Sequence, residues 1–128
     1  MIIDNRLSDE FKKTTFSGYK KKDVYDALFK SIETNKVENA CNWLTECMCS
    51  GYFLELWEKL LFFSCNVISI NNPNLPYYLY KKNNLLNNIL KSVDKNDRYG
   101  IINLRNNTNI RNLYFAIVSM ITLCTKNK

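Results

Sequence analysis

The sequence contains no histidine and has few turn-forming residues, with three glycines and two prolines among its 128 residues. Histidine is the usual general base near neutral pH and the usual partner of a serine or cysteine nucleophile, so its absence argues against the common hydrolytic enzymes. Sandwiches and barrels need many turns, which glycine and proline supply. Their scarcity therefore favours an all-α fold.

Long apolar runs are missing as well. The longest run, from Leu113 to Cys124, has 12 residues, whereas a membrane-spanning helix needs roughly 20. We therefore expect no membrane span and interpret this run as a buried core helix. Its β-branched residues leave a strand over 117–123 as the alternative.

The five cysteines, at positions 41, 47, 49, 65 and 124, are odd in number and fall mostly within helical patterns. No secretory leader is recognisable, so we expect buried, reduced thiols in an intracellular, reducing compartment and no secretion. Cys47 and Cys49 point to different sides of a helix, and no second cysteine or histidine pair stands at zinc-site spacing. The sequence predicts no metal, no cofactor, no catalytic residue and no small-molecule substrate, so we expect a protein that is not an enzyme.

Three amphipathic segments between residues 22 and 67 form the centre of the predicted fold. Apolar residues recur at the helical period over 24–32, 37–48 and 53–65. Gly51 stands where a helix needs a left-handed C-terminal cap. Aromatic residues dominate buried area, and those of this part are predicted to lie in the core: Tyr25, Phe29, Trp43, Tyr52, Phe53, Trp57, Phe62 and Phe63.

Two further helices are predicted in the second half. One has Pro76 in its first turn, and the last is capped by Asn107 or Thr108. Residues 94–100 are expected to form a loop, followed by a turn or brief helix. The predicted fold is a single all-α domain, residues 1–128, built as a compact bundle of about five to six short helices. Residues 1–16 are expected to be a loosely attached N-terminal segment.

Charge divides the chain unevenly. Residues 1–72 carry nine Lys/Arg and ten Asp/Glu, whereas residues 73–128 carry nine and two, so the second half holds the whole excess of the net charge of +6. A positively charged half of the chain can contact phosphate groups, anionic lipid or an acidic protein. The candidate basic patch is Lys91, Lys95, Arg98, Arg105 and Arg111. No recognised nucleic-acid-reading module accompanies it.

A cluster of tyrosines and lysines is the best candidate for a partner-binding surface. It consists of Tyr77, Tyr78, Tyr80, Lys81 and Lys82. Aromatic residues beside cations are common at protein interfaces. The alternative interpretation is that these tyrosines only cover the helical bundle.

Several short motifs, in order along most of the chain, resemble a poorly characterised helical family of nucleocytoplasmic large DNA viruses, the giant-virus group. They are 16–21 (FSGYKK), 40–43 (ACNW), 50–52 (SGY) with Leu56-Trp57, 72–79 (NPNLPYYL), and 104–107 (LRNN) with 110–113 (IRNL). The resemblance implies a helical protein and carries over no catalytic residue.

A second resemblance covers about 50 residues. The stretch 27–32 (ALFKSI), together with Ala40, Trp43-Leu44, Gly51, Leu60-Leu61 and Asn72-Pro73, is similar to the helical oligomerisation (collar) domain of AAA+ ATPases of the MgsA and Werner-helicase-interacting type. No phosphate-binding loop is present, so ATPase activity is not implied. The resemblance implies a helical module that assembles with its own copies or with a larger machine.

The functional prediction is a non-enzymatic structural or interaction protein of a large DNA virus, such as a minor capsid protein, another virion component or an assembly adaptor. It would reside in the host cytoplasm, the viral factory or the virion, and would bind protein partners or form homo-oligomers. The alternative is an accessory factor of viral replication or transcription whose basic C-terminal half contacts nucleic acid. Steeply salt-dependent binding to nucleic acid would favour the accessory factor over the structural or interaction protein.

Overall fold

The all-α fold predicted from the sequence is confirmed in the part of the chain that the structure describes. The structure, a computed structural model, describes residue 6 and residues 8–68, 74–93 and 100–124. In that part of the chain it has five α-helices: α1 (Lys21–Glu33), α2 (Val37–Cys49), α3 (Phe53–Phe63), α4 (Leu75–Lys91) and α5 (Thr108–Leu123). Shorter elements are 3-10 helices at Ser8–Phe11 and Gly100–Asn106 and a π-helical turn at Ser64–Ile68. The strand considered for 117–123 is wrong, because these residues belong to α5.

The helices α1 and α2 end in the same backbone motif. At the end of α2, the Tyr52 N–H donates to the Cys47 carbonyl (3.2 Å) and the Gly51 N–H to the Met48 carbonyl (3.0 Å). Gly51 has φ +79°, which identifies a Schellman motif and confirms the left-handed cap predicted there. Asn35, with φ +62°, ends α1 in the same way. These tight turns allow consecutive helices to pack against each other.

The core is centred on α5. Its buried residues recur at helical spacing: Ile110, Leu113, Tyr114, Ile117, Val118, Ile121 and Thr122. The Tyr114 hydroxyl donates to the Phe53 carbonyl at 2.6 Å, and its ring meets the Trp57 ring edge-on at 5.6 Å. The predicted N-cap is confirmed at Asn107, whose side chain accepts from the Ile110 N–H at 3.1 Å. The apolar run that could not span a membrane therefore forms the centre of the bundle.

The segment before α1 is packed on the bundle. Phe11 and Thr15 are each only 1% exposed. The Tyr52 hydroxyl donates to the Phe11 carbonyl, and the Ser50 hydroxyl accepts from the Phe16 N–H at 2.8 Å. The loose attachment predicted for residues 1–16 is therefore wrong for residues 11–16. Residues 1–5 and 7 lie outside the described residues.

The predicted aromatic core is correct except at one position. Tyr25, Tyr52, Phe53 and Trp57 are buried, and Phe29, Trp43 and Phe63 pack partly buried against the core. Phe62 is instead 72% exposed. Phe62 and Phe63 are neighbours on a helix, so their side chains point about 100° apart, and it is Phe63 that packs against the core.

The helix α4 is largely exposed. Of its 17 residues, only Leu75, Leu79 and Leu86 are buried. The Trp57 indole N–H donates to the Asn83 side-chain oxygen at 2.9 Å and joins α4 to α3. The side of α4 away from its leucines is thus left to solvent.

No helix among the described residues is long and apolar enough to cross a membrane.

Candidate interaction surface

The solvent side of α4 carries four aromatic or basic residues, which we call the α4 face: Tyr77, Tyr80, Lys81 and Lys91. Steps of 100° per residue place all four within one arc, opposite the buried leucines. Tyr77 is 64% exposed and Tyr80 is 63% exposed, and both lysines are exposed as well. The same side of α4 therefore carries three residues of the predicted tyrosine–lysine cluster and, about 15 Å further along the helix, one residue of the predicted basic patch.

The other two residues of the tyrosine–lysine cluster point elsewhere. Tyr78 and Lys82 are half-buried, and burial raises the pKa of the Tyr78 hydroxyl. Each lysine lies over the tyrosine one turn earlier: the Lys81 Nζ is 4.6 Å from the Tyr77 ring centroid, and the Lys82 Nζ is 5.3 Å from that of Tyr78. These cation–π contacts hold the charges beside the rings. The cluster is thus two tyrosine–lysine pairs on different sides of α4.

The described residues of the predicted basic patch do not all lie on the surface. Arg105 is only 3% exposed, and its guanidinium donates to the Cys49 carbonyl at 2.9 Å. A cation is stabilised there because the carbonyl groups at a helix C-terminus carry partial negative charge. Arg111, half-buried, donates from Nε to the Arg105 carbonyl. Assigning Arg105 to an exposed basic surface is therefore wrong, and Lys95 and Arg98 lie outside the described residues.

A groove of about 600 Å³ lies between α4 and α5. Side-chain amides, one hydroxyl and one ammonium group supply its polar lining: Asn88, Asn107, Asn109, Asn112, Ser92 and Lys82. We call it the amide groove. Residues 74–93 and 100–124 contain no aspartate or glutamate, so no carboxylate opposes an anion along either helix.

A second groove, of about 550 Å³, lies between α1 and α3. Four aromatic and two acidic residues line it, and we call it the aromatic groove: Tyr25, Phe29, Phe62, Phe63, Asp26 and Glu58. The Phe29 and Phe63 ring centroids are 5.3 Å apart. Sequence reasoning missed this groove because it placed in the core the eight aromatic residues named between residues 22 and 67. The signal that reveals it is the adjacent pair Phe62-Phe63.

The buried Cys47 thiol and Tyr25 hydroxyl are held in their neutral forms. Burial, with smaller contributions from the nearby Glu46 and Glu55 carboxylates, raises the pKa of the Cys47 thiol to about 12. Burial likewise raises the pKa of Tyr25. A thiol with such a pKa is protonated at neutral pH and is not an activated nucleophile. Over the described ranges, no three cysteine, aspartate or glutamate side chains group together in a way that could hold a metal ion.

Comparisons with protein families, with curated proteins and with solved structures found no match for this chain.

Proposed function

We propose that the protein is a non-enzymatic interaction protein that binds a protein partner through the α4 face. The observation that carries this proposal is the exposure of Tyr77 and Tyr80, 64% and 63%, on a helix that buries only three of its residues. Exposed aromatic rings lose little conformational freedom on binding and bury a large area when a partner covers them. The α4 face is thus suited to docking another protein.

The viral assignment belongs to the same proposal. We infer a virion component, such as a minor capsid protein, or an assembly adaptor of a large DNA virus. The motifs at 16–21, 72–79 and 104–107 support it through their resemblance to the giant-virus family. The compact all-α fold agrees with that resemblance.

Affinity capture with a matched pair of variants tests the α4 face. Partners are recovered from native cells with three tagged proteins: the wild type, the double variant Tyr77→Ala/Tyr80→Ala and the control Leu54→Ala. The Leu54 side chain is 47% exposed on α3. We expect the double variant to lose its specific partners by about tenfold or more, since interface tyrosines are frequent hot spots. The control should retain them. Equal recovery by all three proteins contradicts the proposal, whereas capsid proteins among the partners support the viral role.

Nucleic-acid binding is the second candidate function. It is favoured by the absence of carboxylates from residues 74–93 and 100–124 and by the cation and amides that line the amide groove. Lysines attract phosphates, and exposed tyrosines such as Tyr77 stack on unpaired bases. In this candidate the chain is an accessory factor of viral replication or transcription.

The salt dependence of binding tests the second candidate. Binding of a single-stranded oligonucleotide should weaken steeply as salt concentration rises, and Lys81→Ala and Lys91→Ala should each lower the slope of log affinity against log salt by about one. Lys36→Ala removes an exposed charge at the start of α2 and should leave the slope unchanged. Fluorescence anisotropy measures the binding of the oligonucleotide to all three variants and to the wild type. Absent or salt-independent binding rules this candidate out.

A further inference from the structure

We propose that the aromatic groove of one copy of this chain binds the α4 face of a second copy, so that copies join head to tail. This inference rests on the proposed function and names the partner of the α4 face. It brings together the two exposed aromatic surfaces described above.

The aromatic groove has the shape and lining of a helix-binding site. Phe62 stands at it 72% exposed, with Phe29 and Phe63 partly buried beside it. Its lining from Glu58 to Asn66 extends over about 12 Å of helix, or roughly two turns. The end of α3 continues as the π-helical turn Ser64–Ile68, an irregularity that is frequent at functional sites.

The α4 face has the spacing of a helix that docks in a groove. Helices that bind in this way present anchors at positions i, i+3 and i+4, and Tyr77, Tyr80 and Lys81 stand at those positions. The three side chains are exposed, and Lys81 is already held against the Tyr77 ring. Little order has to be gained when this turn enters a groove two turns long.

Charge complementarity selects the occupant. Asp26 and Glu58 are exposed at the aromatic groove, and α4 offers lysines with no aspartate or glutamate along its length. Lys59, which also lines the groove, has its Nζ 5.0 Å from the Tyr25 ring centroid and offsets one of the two negative charges. An acidic aromatic groove and a basic aromatic helix therefore attract each other, whereas two α4 faces would bring lysines together.

The symmetry of the contact follows from its two unlike surfaces. An interface between different patches is heterologous, and it generates rings if the rotation closes and filaments if it does not. An open chain of copies keeps one unoccupied groove at one end and one unoccupied α4 face at the other until a ring closes. Self-association should therefore continue beyond a dimer.

Complementation between two variants tests the proposal by analytical ultracentrifugation of nuclease-treated protein, from micromolar to millimolar concentration. The groove variant is Glu58→Ala/Phe62→Ala, and the α4 variant is Tyr80→Glu/Lys81→Glu. Both change exposed side chains, so helical circular dichroism should be unchanged. The wild type should form species larger than dimers. For each variant alone, the dissociation constant of self-association should be about tenfold or more higher than that of the wild type. An equimolar mixture should form a one-to-one heterodimer and stop there, because only its altered surfaces remain unoccupied.

Matched controls carry the same charge changes elsewhere. Glu38→Ala and Lys36→Glu alter exposed positions at α2, outside both surfaces, and should assemble like the wild type. A wild type that stays monomeric at every concentration overturns the proposal. A groove variant that assembles normally also overturns it and would indicate that α4 faces pair with each other. A mixture of the two variants that remains monomeric overturns it as well. A monomeric wild type whose α4 variant still loses partners in affinity capture would reject self-assembly and leave the proposed function standing.

Discussion

At the residue scale, burial decides what each polar side chain does. The hydroxyls of Tyr52 and Tyr114 donate to backbone carbonyls inside the fold, and Arg105 donates to the carbonyl of Cys49. Unsatisfied buried polar groups are costly, so these residues stabilise the packing of their elements. Residue type alone does not distinguish an arginine that binds a backbone carbonyl from one that faces solvent. That is the reason why the basic patch was predicted with Arg105 in it.

The neutral thiol of Cys47 predicts a loss of stability at alkaline pH. Its pKa is raised from 9.0 to about 12 in the folded protein, so the unfolded chain releases this proton first. The stabilising contribution is complete below pH 9 and is lost as the pH rises from 9 towards 12. Above pH 9, the free energy of unfolding should fall by about 1 kcal/mol per pH unit because of this group.

Urea unfolding between about pH 8 and pH 10.5 measures this effect. Cys47→Ala should lose less stability over that interval than the wild type, although the small cavity lowers its stability at every pH. Tyr52 has a pKa raised to about 12, mainly by burial and to a smaller extent by Cys47, so the difference between the two proteins includes this coupling as well as the ionisation of the thiol. Parallel pH profiles for the two proteins would show that the thiol is not protected from ionisation.

At the element scale, the pattern of apolar residues predicted the helices well. The three segments predicted between residues 22 and 67 correspond to α1, α2 and α3, and the cap at Asn107 begins α5. These features depend on local interactions, which the sequence carries directly. The exposed sides of the elements were predicted less well, because which side is covered depends on the arrangement of neighbouring helices.

The turn between α2 and α3 yields a test of the element boundaries. Gly51 has φ +79°, and a Cβ added there would lie 2.9 Å from Cγ1 of Ile102. Gly51→Ala should therefore cost about 2 kcal/mol or more, since backbone strain and a steric clash add together. Gly18 also has a positive φ, +91°, but no atom lies within 4 Å of its added Cβ. Gly18→Ala should cost only about 1 kcal/mol from backbone strain. Equal losses in thermal or urea unfolding would show that the approach of Ile102 is unimportant.

At the scale of the whole molecule, the acidic residues are concentrated in the first half of the chain. Apart from residues 94–99, every aspartate and glutamate precedes residue 59. The acidic residues of the aromatic groove thus belong to α1 and α3, and the lysines of the α4 face to the second half of the chain. The uneven charge was visible in the sequence, but the pairing of charge with exposed aromatic rings was not.

The packing of the segment before α1 yields a test at this scale. Phe11 is 1% exposed, so Phe11→Ala should cost about 3 kcal/mol of unfolding free energy through lost burial and a cavity. Phe62→Ala is the matched control, because its side chain is 72% exposed and its loss in dilute solution should stay within about 0.5 kcal/mol. Urea unfolding of both variants checks the difference. A small cost at Phe11 would restore the loose attachment first expected for residues 1–16.

The sequence by itself determined the class of fold, the places where helices begin and end, and the imbalance of charge, because periodicity, caps and composition act locally. Only the tertiary structure decided that Phe62 faces solvent, that Arg105 is buried and that Phe11 belongs to the core. Each of these depends on which helix lies across from the residue, and contacts between residues distant in the chain leave no period in its sequence. The two surfaces offered here as an interface have the same origin: both are helix sides that no other described element covers.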